Sequence, residues 1–351
     1  MKKRFIALFL ILATLIGMLS FSSCEKKKEK YSSYSFDYFD TVTTISGYAK
    51  SKDEFDKISA QILEELGDYH RLYTIYERHE GINNLYAVNT VANGSHAKLK
   101  VDQKIIDLLL FSKELYTKTN GKVNIAMGSV LSIWHDYRTQ GTKDPANASL
   151  PSEELLTSAA EHTDIDKLVI DDEENTVFLS DPEMTLDVGA IAKGYAVERI
   201  AQSLIEKGIE GYVINVGGNV RTVGKRADGT EWLIGIEDPD GSDEKPYFAT
   251  LNISDLSLVT SGSYQRYYIV GGKNYNHIID PSTLMPSERF ISVSVICESS
   301  ALADALSTSL FCMSIEEGKE ILSQFENIHA MWVSKDRQIT YSSGFSNFLS
   351  E

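Results

Sequence analysis

The chain has 351 residues, 42% of them hydrophobic and 24% charged, the composition of a globular protein with room for one large domain or two fused lobes. A net charge of −16 argues against a nucleic-acid partner, whose phosphates need clustered Lys and Arg. The same charge means that any anionic ligand must be offset by a metal ion or by backbone N–H groups.

Met1-Lys2-Lys3-Arg4 is a basic start, followed by an apolar run from Phe5 to Phe21 and by Ser22-Ser23-Cys24. A run of that length before small residues reads as a secretory signal and not a stable span. Small residues ending in a cysteine match a lipobox, with Phe21 where leucine is usual, and place a lipid on Cys24 after cleavage. The other reading is an uncleaved helix with an incidental cysteine. Glu25 to Lys30 (EKKKEK) has no apolar side chain and reads as a solvated spacer beside a bilayer. The expected organisation is a signal peptide over residues 1–23, a charged tether over 24–33 and one folded domain over 34–351. Of three cysteines, only Cys297 and Cys312 then remain. Both lie in apolar runs and are expected as buried free thiols.

Tyr34 to Tyr48 is rich in aromatic and β-branched residues and reads as a strand. Phe55, Ile58, Ile62, Leu63 and Leu66 recur near helical spacing, which predicts a helix over Lys52–Leu72. The polar, Asn- and Gly-bearing stretch from Tyr76 to Gly94 reads mostly as loop. A second helix covers Asp102–Thr119 and ends at Asn120-Gly121. Gly121 to Trp134 (GKVNIAMGSVLSIW) opens on a turn, and composition does not choose between strand and helix beyond it. Gly141 to Ser152 is the best candidate for a flexible surface loop.

Strand pairs are expected around Leu168–Ile170 and Val177–Leu179, then a helix from about Ala190 to Lys207 with Gly208 just past its end. Strands at Tyr212–Val216 and on to Val223 flank a Gly-Gly turn. Further short strands are Trp232–Ile236, Phe248–Ile253, Leu258–Val259, Arg266–Val270 and Ile291–Ile296. Two helices follow, Ala301–Cys312 and Ile315–Phe325, the second opened by a Ser314/Glu317 capping-box spacing. Strand pairs with clustered helices predict an α+β fold and not a doubly wound sheet.

Five segments are more polar or glycine-rich than their structural slots require. In LDVGAIAKGY (186–195), Asp187 precedes two glycines around a helix start, where free N–H groups suit an anion. Asn215-Val216-Gly217-Gly218-Asn219 is either a tight turn or a place where backbone approaches a phosphate. Thr260-Ser261-Gly262-Ser263-Tyr264 precedes Tyr275-Asn276-His277-Ile278-Ile279-Asp280-Pro281, which supplies an imidazole able to exchange protons near neutral pH. Asp304 and Thr308 stand at i and i+4, so they share one helix face. A carboxylate plus a hydroxyl at that spacing forms part of a hard-cation site. GKVNIAMGSVLSIW is the fifth. Each has a plain structural reading of its own: an N-cap, a hairpin turn, a hydrogen-bonded structural histidine, a threonine bonded to its own helix, and a turn leading into a buried strand or helix.

The order of these blocks is specific. From about Tyr34 to Asn347 the chain resembles the ApbE family of FAD:protein FMN transferases. The resemblance rests on Phe39-Asp40-Thr41-Val42-Thr43-Thr44, Tyr76, GKVNIAMGSVLSIW, LDVGAIAKGY, INVGGN, TSGSY, YNHIIDP and ADALST. It departs from the family pattern at Phe39-Asp40, which stand where Met-Gly is usual. Asn124 stands where Asp is common, and Leu284 replaces the usual glycine after the Asp-Pro pair.

The resemblance implies a single catalytic domain of mixed or antiparallel sheets with flanking helices, in two lobes around an FAD cleft, with one or two Mg²⁺ ions at the pyrophosphate and FAD as substrate. It implies that Asp187, Ala190 and Lys193 line the FAD site and that the Ala190 carbonyl, Asp304 and Thr308 hold the metal. Phe39 and Tyr76 would lie against flavin or adenine, Lys122, Val123 and Asn124 would contribute edges, and Ile278 would pack near a ring. His277 would be the base for the acceptor hydroxyl. The implied reaction splits the FAD pyrophosphate, transfers FMN to a threonine of an exported protein and releases AMP. Implied acceptors are subunits of Rnf-type or sodium-pumping quinone reductase complexes, reached from a lipid anchor on the outer face of the cell membrane. The alternatives are an FAD pyrophosphatase giving FMN and AMP, and a non-enzymatic flavin-binding lipoprotein.

Overall fold

The computed structural model describes residues 27–350, so the signal segment and Cys24 lie outside the described residues. Its centre is one eight-stranded sheet whose strands lie side by side in chain order, every neighbouring pair antiparallel. They are β1 (Glu29–Ser35), β2 (Thr43–Ala49), β3 (Tyr212–Val216), β4 (Asn219–Val223), β5 (Ser257–Gly262), β6 (Phe290–Cys297), β7 (His329–Ser334) and β8 (Ile339–Tyr341). The helices, again in chain order, are α1 (Lys52–Tyr73), α2 (Leu85–Asn93), α3 (Gln103–Lys118), α4 (Gly128–Lys143), α5 (Glu153–Ala160), α6 (Ala192–Glu206), α7 (Ser300–Phe311) and α8 (Ile315–Leu322). The fold is α+β, as its pattern of elements predicts.

Strand alternation decides the layering. Ile214, Val216, Val259, Val293, Val295 and Trp332 face the helices, whereas Val213, Val220, Leu258, Ile296, Met331 and Val333 face the other way. That second face is covered by the hairpin Trp232–Ser242/Lys245–Ile253 and by the turn at Phe345–Phe348. Central strands buried on both sides explain why their sequences read as near-continuous apolar runs. Each such side chain contributes roughly 1.5–3 kcal/mol of burial. A fourth apolar cluster, with Met127 just before α4, Val130 and Trp134 of α4, Leu156 of α5 and Tyr268, forms a second lobe facing the sheet's loops.

Local chemistry fixes many boundaries where the sequence places them. Asp102 caps α3 by accepting the Lys104 N–H, and Asn120-Gly121 turn the chain out of it with φ of 51° and 78°. The Ser314/Glu317 capping box is formed in both directions. Cys297 and Cys312 are buried and free, and burial pushes both thiols up to about 12.

Four expectations need correction. Glu29 to Ser33 is not tether: it pairs with Ile45–Ala49, and Tyr31 packs 5.7 Å from the Phe55 ring. A backbone ladder needs no apolar side chains, which is why a charged run can enter a strand. The strand expected over Tyr34–Tyr48 is broken, because Phe39 and Asp40 hold left-handed φ of 56° and 50° that no strand accepts. The polar stretch to Gly94 contains α2, capped by the Asn84 side chain and buried through Leu85, Val88 and Ala92. Gly141–Lys143 is the last turn of α4, Pro145–Asn147 forms a 3₁₀ turn and Ser152 caps α5, so little of that expected loop is irregular.

One helix crossing positions everything that follows. Gly194 on α6 sits so close to α7 that a Cβ there would overlap the Asp304 Cβ and the Ser300 carbonyl. Replacing Gly194 by Ala should destabilise the fold by about 1–3 kcal/mol, read as a lower urea midpoint at unchanged m-value. An unchanged midpoint would mean the helices are not in this contact.

Candidate active site

Between the sheet's loops and the second lobe lies a cavity of about 810 Å³. That is towards the upper end of the roughly 300–1,000 Å³ typical of ligand pockets, so a large ligand fits. Its floor includes the β3–β4 turn, where Gly217 and Gly218 have φ of 56° and 91°, the signature of a two-residue hairpin turn. The Asn215 side chain accepts the Gly218 N–H at 3.0 Å and locks the turn. A side chain on Gly217 would collide with Thr41 from the loop that breaks the first expected strand. The glycines are therefore both a turn and a cleft wall.

One corner is built by α6 and α7. Asp304 is buried, and its Oδ2 accepts the Gly194 N–H at 2.8 Å. Lys193 stands 3.9 Å from the same oxygen and donates to the Gly189 carbonyl at 3.2 Å. Burial raises the Asp304 carboxyl, opposed by Lys193, the Gly194 N–H and the Asn219 side chain. Asn219 is itself 2% exposed, and its Oδ1 has no hydrogen-bond partner among the described residues. Thr308 follows one turn after Asp304, its hydroxyl 3.3 Å from Ser261 Oγ, and Ala190, two residues before α6, borders the same cavity. Carboxylate, hydroxyl, carbonyl and amide oxygens are hard donors, and a buried carboxylate with only a long ion pair suits a divalent cation.

His277 forms a second corner. Its backbone N–H and its Nδ1 both meet the Arg266 carbonyl, at 3.0 and 3.1 Å. A carbonyl only accepts, so Nδ1 carries the proton and Nε2 keeps its lone pair. Burial, with Arg266 and Arg138 nearby, pushes the imidazole down to about 3. The ring is held as a neutral base in a fixed orientation.

The remaining predicted residues line the same cavity with different freedom. Phe39 packs its ring 5.4 Å from His70, and Tyr76 stands exposed at the rim, 5.4 Å from the His135 ring. Asp187 accepts the Gly189 N–H at 2.8 Å, and its own N–H goes to the Ile125 carbonyl; burial raises its carboxyl. Lys122 is bound to Asp280 and Ser282, both at 2.7 Å. Asn124 uses its amide on the Thr163 carbonyl and the Ala126 N–H. Val123 and Ile278 are buried wall residues. All twelve cleft residues expected from the sequence, from Phe39 to Thr308, border this one space.

The sequence reading missed Arg138, Arg266, His135 and Asn219, which border it too. INVGGN contains Asn219, but a hairpin-turn reading gives its side chain no task. The arginines sit singly outside any motif. Asp40 and Leu284, which stand where the resemblance leads one to expect glycine, hold φ of 50° and 60°, in the left-handed region that favours glycine.

A deep cleft with a fixed neutral imidazole at one corner and an oxygen-rich carboxylate corner at another belongs to an enzyme acting on a large anionic ligand. Residues 39–332 match the model of the ApbE family, and the chain belongs to that family. It is 33% identical over 279 residues to an FAD:protein FMN transferase of Klebsiella pneumoniae, covering 78% of this chain and 84% of that one. The solved ApbE protein of Thermotoga maritima superposes with a TM-score of 0.78 at 26% identity, over 92% of this chain and all of that chain (100%). The flavin transferase ApbE of Vibrio cholerae gives 0.75 at 26% identity, with the same 92% and 100% coverage.

If His277 is held neutral as described, its ring resonances should not titrate between pH 7 and pH 5 in an NMR series. A midpoint near the ordinary value of about 6.5 would contradict the described environment.

Proposed function

We infer that this chain is an FAD:protein FMN transferase, and we propose that it works with a magnesium ion held by Asp304, Thr308 and the Ala190 carbonyl. The observation that carries the metal is the α6–α7 corner, where among the described residues the buried Asp304 carboxylate has Lys193 no nearer than 3.9 Å and Asn219 Oδ1 has no hydrogen-bond partner. Such a hard-oxygen corner leaves water and phosphate to complete the coordination of Mg²⁺. When bound, the ion would polarise the pyrophosphate and neutralise charge on the departing phosphate.

The chain's own residues supply the rest. His277 Nε2 takes the proton of an acceptor threonine hydroxyl, whose oxygen attacks the flavin-side phosphorus. A new P–O ester bond forms as the bond to the AMP phosphate breaks, and AMP leaves with that electron pair. Lys193 faces the same anionic group from α6, with Asp187 placed for a ring N–H or a hydroxyl. Phe39 and Tyr76 offer faces for the flavin or adenine, Ile278 packs near a ring, and Lys122, Val123 and Asn124 form the edge. Because the Lys122 ammonium and the Asn124 amide are engaged within the protein, they shape that edge as fixed wall.

The proposed acceptor is an exported, threonine-bearing subunit of a flavin-carrying redox complex, of the Rnf or sodium-pumping quinone reductase type. The lipobox at Cys24 supports an enzyme anchored to the outer face of the cell membrane. With β1 starting at Glu29, such an anchor would keep the domain within roughly 18 Å of the lipid.

Coexpression with an acceptor, read by in-gel flavin fluorescence, should give a labelled band that EDTA removes. His277→Ala should cut labelling about 10²–10⁴-fold with FAD still bound, and Asp304→Ala should abolish it and weaken Mg²⁺ binding. Full labelling by both variants would sink the roles. Rapid FMN release from FAD and Mg²⁺ without acceptor would instead favour the pyrophosphatase reading.

A further inference from the structure

Two cations in the cleft have no place in the scheme so far. Arg138 on α4 and Arg266, just before the strand Tyr267–Val270, both border the cavity. Arg266 donates to the Asp40 carbonyl at 3.0 Å, and Arg138 to His135 Nδ1 at 3.1 Å. Neither is ion-paired with a carboxylate among the described residues, whereas Lys122 and the buried Arg221 have Asp280 and Glu198. A guanidinium has five N–H donors, so one bond each leaves a forked set unused at a wall facing the ligand. Two like charges that act on each other across one cleft wall repel, and an anion between them relieves that repulsion.

Their position says which anion. Arg266 carries the carbonyl from which the His277 backbone and ring hang, and Arg138 borders the same cavity close enough to act on that imidazole. In an in-line displacement the incoming oxygen and the leaving oxygen stand on opposite sides of the phosphorus. Groups beside the base are therefore beside the phosphate under attack, while the departing AMP phosphate lies towards the far side.

We propose that Arg138 and Arg266 form a guanidinium clamp for the flavin-side phosphate, the group that is transferred. The inference rests on the transferase reading and deepens it. The clamp holds the phosphoryl group's equatorial oxygens while the threonine oxygen bonds to phosphorus, the bond to AMP breaks and the proton passes to His277 Nε2. The same two charges oppose protonation of His277, which keeps the base in its working form. The subsite takes a phosphate monoester on a flavin, so it should distinguish FMN from riboflavin with no metal, acceptor or turnover.

The test is equilibrium binding of FMN and riboflavin to the full folded protein, followed by flavin fluorescence. Wild type should prefer FMN. In Arg138→Met/Arg266→Met the FMN affinity should fall about 10- to 100-fold with riboflavin affinity unchanged. Arg138→Lys/Arg266→Lys should recover part of the preference. An unaltered FMN preference in the Met variant would overturn the clamp. So would an equal loss of both ligands, which marks a structural role. An intact preference with a raised KM for acceptor would also overturn it, because the arginines would then serve an acidic group on the acceptor protein. A failure of the transferase reading would show elsewhere, as absence of acceptor labelling by wild type.

Discussion

The site depends on two helices meeting with no side chain between them. At Gly194 the backbone N–H of α6 points straight at the Asp304 carboxylate of α7, so one hydrogen bond both joins the helices and fixes the carboxylate at the cleft. A second tie lies one turn further along α6. There Glu198 accepts the Ser300 N–H at 2.7 Å, capping the start of α7, and Arg221 from β4 stands 3.4 Å from the same carboxylate oxygen. Glu198 at a helix N-terminus is favoured by the dipole, and breaking a buried pair of this kind strands a charge. Both ties connect the α6 residues that face the ligand to the proposed metal helix and to the Gly217–Gly218 hairpin. The corner is thus rigid before any ligand arrives, which is what positioning for transfer requires.

Electrostatics explain how so acidic a chain can hold an anion. The net charge of −16 is a property of the whole sequence, not of the cleft. Lys193, Arg138 and Arg266 converge on the cavity, while Lys122 is neutralised by Asp280 and acts as a strut. From composition alone, offsetting an anion called for a metal or backbone N–H groups. The fold adds side-chain cations from three separate segments. His277 gains from the same arrangement, because its neighbours favour the neutral ring and the Arg266 carbonyl chooses the tautomer.

What the sequence displayed and what it hid follow physical lines. Helices announced by caps and turn residues, such as α3 between Asp102 and Asn120-Gly121, were legible because those signals are local. The hairpin around Gly217-Gly218 was legible for the same reason. Helix α2 was hidden because its cap, Asn84, and its neighbours share the composition of a loop, and only the burial of Leu85, Val88 and Ala92 reveals its spacing. The break between β1 and β2 was hidden because aromatic and β-branched residues favour strands, whereas Phe39 and Asp40 are held left-handed by the loop that covers the cleft. The candidate site residues came from a family resemblance carried by short blocks, and the fold brings those twelve positions to one cavity. Arg138 and Arg266 belong to no block, and only three-dimensional proximity to His277 gives them meaning.

What most needs testing is the proposed divalent ion, which Asp304, Thr308 and the Ala190 carbonyl would hold at the α6–α7 corner. A crystal of the protein with FAD and Mg²⁺ addresses it directly. The account predicts one metal ligated by the Asp304 carboxylate, the Thr308 hydroxyl and the Ala190 carbonyl at about 2.0–2.1 Å, with pyrophosphate oxygens in its remaining positions. A pyrophosphate seated in the cleft with its metal bound elsewhere, or with none of these three groups as ligands, would contradict it.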